Sequence, residues 1–163
     1  MGATSTSASQ ARAQVKPLAY SLQFRGTAVP VSPRVVELRA TAPGSVLATS
    51  VGEDGVTAHI HAEDGHEAVL RTRLVFRQDG SFDEDGSIVF GRGNVLRFRT
   101  RGLGRLSESP DPHLRHGTAI REIFGGEGQF EGATGRITSN FFVSDTGELT
   151  DNHFGLIFTA GRP

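Results

Sequence analysis

Cysteine is absent from the 163 residues, and so is tryptophan. Without cysteine there is no disulfide, no thiolate nucleophile and no zinc–thiolate site, and the chain fits a reducing compartment. Long apolar runs are also lacking: no stretch approaches the ~20 residues that a helix needs to cross a bilayer. Charge of one sign is missing too. The formal net charge is −1, which argues against a nucleic-acid partner, because neutralising phosphates takes a net basic face. No G-x-S-x-G elbow is found, and Ser, His and Asp show no triad spacing. Gly91-Arg92-Gly93 and the glycine-rich stretch 125–135 lack the Lys-Ser/Thr ending and following helix of a phosphate loop.

What is present points to β structure. Glycine is abundant, with 21 residues, and phenylalanine supplies eleven of the twelve aromatic side chains. Short apolar runs between glycines suggest strands punctuated by turns. Leu18, Tyr20, Leu22 and Phe24 alternate with smaller or polar residues, the period of a half-buried strand. Further runs follow at 35–40, 46–51, 56–60, 68–77, 82–90, 95–101, 118–124, 136–143 and 149–159, with Pro30 and Pro33 expected to interrupt the first. The segment Gly102–Arg115 reads as the longest loop.

Eight to ten short strands without a helical period predict an all-β, closed antiparallel barrel of about eight strands, since closure removes exposed edges. A chain of this length fits one domain, assigned to 16–163. Residues 1–15, rich in Ser, Ala and Thr, read as a disordered tail without the apolar core of a secretory signal, so a cytoplasmic location is expected.

The segment Gly125-Gly126-Glu127-Gly128-Gln129-Phe130-Glu131-Gly132-Ala133-Thr134-Gly135 is a glycine-dense strand–turn–strand anchored by one Phe. Its pattern, G-G-x-G-x-F-x-G-x-x-G, resembles the motif shared by plant allene oxide cyclases and dirigent proteins. The continuation, Arg136 to Phe158, looks like small bacterial proteins of the same barrel superfamily, some of which close rings in polyketide assembly. The resemblance covers roughly residues 118–160. It implies an eight-stranded barrel that folds an apolar, flexible substrate in a chiral cavity, with few functional groups and no cofactor. It transfers no catalytic position.

Among polar residues, Tyr20, Glu122, Asn140, Asp151, Asn152 and His153 are the candidates. Tyr20 sits among apolar neighbours on its face. Glu122 shares a face with Ile120 and Phe124; turned inward, it would be a buried carboxylate able to act as acid or base. Tyr20 and Glu122 are therefore the expected catalytic pair, with Phe24, Leu74, Phe98, Ile120 and Asn140 lining the substrate. Asp151-Asn152 could instead cap a turn.

His59 and His61 have the i, i+2 spacing of a cupin metal pair, but Glu67 is misplaced and a second His motif is missing. Two solvent-facing histidines are the preferred reading, and no metal or cofactor is expected. Arg71, Arg73 and Arg77, and Arg97, Arg99 and Arg101, alternate with apolar residues and read as the outer face of a barrel, paired across strands with acids. The expected function is a cofactor-independent cyclase or isomerase for an apolar biosynthetic intermediate. A non-catalytic, lipocalin-like binding barrel is the alternative. The partner is an apolar small molecule, with room for a homo-oligomer and no membrane.

Overall fold

A computed structural model describes residues 17–159; the tail assigned to 1–15 lies outside the described residues. Eleven strands are found among them: β1 (Leu18–Ser32), β2 (Val35–Ala42), β3 (Ser45–Gly52), β4 (Gly55–Ala62), β5 (Ala68–Phe76), β6 (Ser81–Phe90), β7 (Val95–Thr100), β8 (Gly104–Glu108), β9 (Leu114–Glu127), β10 (Thr134–Ser144) and β11 (Glu148–Phe158).

Nine of them form one sheet in the order β10-β11-β1-β2-β5-β6-β7-β9-β8, and the pairing of β9 with β10 closes it. β7 and β8 occupy successive stretches between β6 and β9, so the closed antiparallel barrel has eight staves. β3 and β4 pair only with each other and project as an arm. No helix among the described residues is long and apolar enough to cross a membrane.

Alternation decides what faces the core. Phe24, Leu70, Phe82, Ile88, Leu96, Phe98, Ile137 and Ile157 are fully buried. Each large apolar side chain removed from water contributes about 1.5–3 kcal/mol. The arginine faces lie outside as expected: Arg73 pairs with Glu37, Arg77 with Asp83, Arg97 with Glu127, and Arg99 and Arg101 with Glu122.

Two boundaries differ from expectation. β1 continues through Pro30 to Ser32, because its pairing with β11 ends at Thr27 and only β2 flanks the proline. A residue without an N–H is harmless where one neighbour is absent. β8 lies inside the segment read as a loop, where glycines and a five-residue length hide the alternation.

The glycine-rich stretch is the hairpin between β9 and β10, with a 3-10 turn at Gly128–Phe130 and Phe130 buried. Gly135 has φ +143°, and a Cβ there would lie 2.0 Å from the Leu156 carbonyl oxygen. Gly128 has φ +63°, and its Cβ would lie 2.4 Å from the Gly93 oxygen. Only glycine fits both positions.

Candidate functional site

Aromatic and aliphatic side chains pack inside the barrel, and among them lies a layer of charge. Arg121 of β9, Glu84 of β6, and Asp151 and His153 of β11 are all buried there. Arg121 donates to both Glu84 oxygens, from Nε to Oε2 and from Nη2 to Oε1, each at 2.8 Å. Nη2 also donates to Asp151 Oδ2 at 3.2 Å. Thr72 Oγ1 donates to Glu84 at 2.6 Å, and Ser139 Oγ to Asp151 Oδ1 at 2.7 Å. The guanidinium lies over the Phe98 ring, 4.9 Å from its centroid, and the Phe24 and His153 rings meet at a tilt, 4.6 Å between centroids. Buried charge is tolerated only when paired and hydrogen-bonded in this way.

Burial pushes the Asp151 carboxyl up, but the charges and hydrogen bonds packed around it, Arg121 and Ser139 among them, outweigh that and hold the group far below the usual range. His153 moves the other way. Burial lowers its pKa, with the Arg121 charge adding to that against the pull of Asp151. His153 Nε2 lies between Arg121 Nη1 at 2.5 Å and Asp151 Oδ2 at 2.9 Å. A guanidinium can only donate and a carboxylate can only accept, so Nε2 is engaged in either tautomer.

Two buried polar atoms in this interior have no partner: His153 Nδ1 and the Tyr20 hydroxyl. Tyr20 faces Gly155 across β1 and β11, and Leu22 faces His153. A Cβ at Gly155 would stand 2.1 Å from the Tyr20 ring, so the missing side chain gives the ring its place. Burial raises the Tyr20 phenol above its ordinary value, and the hydroxyl stays protonated. The hydroxyl is therefore a donor, and His153 Nδ1 is the ring nitrogen left to donate or accept.

Apolar cavities open at the two ends. One, of ≈410 Å³, is lined by Tyr20, Leu22, Phe90, Phe130 and Ile157. The other, of ≈390 Å³, is lined by Leu38, Leu74, Phe76, Phe141 and Leu149 among others.

The expected site residues separate into two groups. Tyr20, Phe24, Leu74 and Phe98 point inward, Phe24 and Phe98 against the charged layer and Leu74 on the second cavity. Glu122, Ile120 and Asn140 lie on the outer wall, which corrects their expected orientation. Glu122 meets Arg99 and Arg101 outside. Ile120 is 49% exposed, and Asn140 accepts from the His116 ring at 2.6 Å.

The inward face of β9 is Gly117, Ala119, Arg121 and Ile123. Gly117 yields its space to the Phe141 ring, so the inward residues before Ile123 are small or charged, while the large apolar Ile120 and Phe124 face outward. Polarity alternation therefore reads backwards on this strand.

Asp151 and His153 sit in mid-strand rather than in a turn. Arg121 and Glu84 were missed. The available signal was parity: Glu84 shares a face with Phe82 and Ile88, and Asp151 and His153 share one with Leu149 and Ile157. His59 and His61 stand 6.3 Å apart on the exposed arm, and no group of three ligands suited to a metal ion gathers among the described residues.

Comparisons of the chain with family models, curated proteins and solved structures found no match.

Proposed function

We propose that this barrel is a cofactor-independent cyclase or isomerase that folds an apolar polyketide- or lipid-like intermediate in the Tyr20-lined cavity. The observation that carries the reading is the unpartnered, buried hydroxyl of Tyr20, a residue that lines an apolar cavity, with a second unpartnered polar atom, His153 Nδ1, in the same interior. A buried donor without a partner costs about 1–3 kcal/mol, and a ligand oxygen would remove that cost. With the Arg121 charge in the same interior, the hydroxyl favours negative charge developing on such an oxygen, as in an enolate or alkoxide. The apolar walls would hold a reactive conformer, which lowers a barrier without any triad. The reading agrees with the resemblance of the glycine-rich hairpin to allene-oxide-cyclase-like barrels, itself part of the proposal.

The test is incubation of the purified protein with linear polyunsaturated ketones and epoxides, followed by chiral chromatography. Cyclised product in enantiomeric excess is expected, reduced in Tyr20→Phe and His153→Gln variants that remain folded. Tight binding without product in the unmodified protein would instead support the lipocalin-like carrier. The absence of both would overturn the site.

A further inference from the structure

The arm formed by β3 and β4 is anomalous. Fifteen of its sixteen strand residues are exposed, and an isolated two-stranded hairpin is marginal in water. Cross-strand register sorts it into two faces. On one, Leu47 opposes Ile60, Thr49 opposes Ala58 and Val51 opposes Val56. This face is apolar apart from Thr49, and Val51 and Val56 at the tip are 84% and 69% exposed. The tip is Glu53-Asp54, and segment 43–67, which holds the arm, contains five acids and no Lys or Arg.

Opposite charge lies on the outer wall of β2 and β5, the strands on either side of the arm in sequence. Arg39 on β2 and Arg71 on β5 are directly paired across the strands on the outer wall, an arrangement of like charges that destabilises a sheet. The neighbouring arginines 73, 77, 97, 99 and 101 each have an acidic partner, whereas Arg39 and Arg71 have none among the described residues. They line a concave saddle of ≈590 Å³ together with Val29, Val31, Glu37, Arg73 and Asp85; three arginines and two acids leave it cationic. Eight residues per strand put the arm's tip roughly 26 Å from its foot.

We propose that two copies of this chain pair through their arms. The arms lie antiparallel with apolar faces together, and Glu53 and Asp54 of each reach the Arg39–Arg71 saddle of the other. A two-fold axis makes this arrangement self-consistent. The tip valines of each copy pack on the apolar face of the other's arm. The contact covers the exposed valines and neutralises the unpaired arginines at once. Gly44 and Ser45 at the arm's root also rim the Tyr20-lined cavity, which places the interface next to the entrance. The inference stands apart from the catalytic reading.

Sedimentation velocity of the full chain at low ionic strength, across roughly 1–100 µM, tests it. A dimer is expected, weakened by salt. The double variant Glu53→Lys with Asp54→Lys is expected to raise the dimer dissociation constant at least ~10-fold, since two pairs are lost at each end. Arg39→Glu with Arg71→Glu does the same, and mixing the two reversed proteins restores a heterodimer. Far-UV circular dichroism and thermal unfolding confirm that each variant keeps the barrel. A monomer at every concentration overturns the proposal, as does a dimer that neither reversal weakens.

Discussion

Replacing Arg121 by Met separates the structural from the chemical role of the buried layer. The guanidinium makes three hydrogen bonds to two buried carboxylates, and its loss leaves Glu84 and Asp151 facing each other without a cation. Removing one partner of a buried ion pair costs about 3–5 kcal/mol. That is a large share of the ~5–15 kcal/mol that holds a domain together. Urea unfolding followed by far-UV circular dichroism reads this directly. The pH dependence should also change sign. In the native protein the folded Asp151 pKa is depressed. Its contribution is therefore present above the unfolded value of about 3.9 and is lost as pH falls through the folded value. Without Arg121, burial dominates and raises the folded pKa above the unfolded one. The variant should then gain stability on acidification from neutral pH, where the native protein gains none. A cost below ~1 kcal/mol, or identical pH slopes in the two proteins, would refute the account of the layer.

Further outcomes follow from the same geometry. Tyr20→Phe should leave stability unchanged or raise it slightly, because it removes a buried hydroxyl with no partner; a loss above ~1 kcal/mol in urea unfolding would show a partner that the structure does not contain. Glu122→Gln, on the outer wall, should change stability by less than ~1 kcal/mol and leave ligand binding intact. A Gly135→Ala substitution should cost more than ~1 kcal/mol in thermal unfolding, because a Cβ there meets the Leu156 carbonyl at φ +143°. Below pH ~6.5 stability should decline as the unfolded chain takes up the proton that buried His153 resists; a His153→Gln variant should lose that part of the slope.

Most of the barrel was readable because alternation on β1, β5 and β7 puts large apolar residues on one face and polar or charged ones on the other. The arginines of β5 and β7 are the clearest case: every second residue is charged, and burial of Leu70, Leu74, Leu96 and Phe98 follows. The site was only half legible for the same reason. A rule that sends apolar side chains inward must fail where the interior itself is ionic. On β9 it exchanged Arg121 for Glu122, adjacent residues on opposite faces. Tyr20, Asp151 and His153 were visible as polar residues within apolar patterns. Glu84 was hidden by the run of acids and glycine around it, and the bidentate pairing with Arg121 is a contact across 37 residues that no local pattern encodes.

The most direct test of the central claim compares a straight-chain ketone with the alkane of the same length, each displacing a fluorescent apolar probe from the barrel. If the Tyr20 hydroxyl awaits a ligand oxygen, with His153 Nδ1 beside it in the interior, the ketone should bind at least ~10-fold more tightly, a difference of about 1.4 kcal/mol. The advantage should collapse in the Tyr20→Phe, His153→Gln double variant. Equal affinities for ketone and alkane in the native protein would contradict the account and leave the charged layer a structural feature alone.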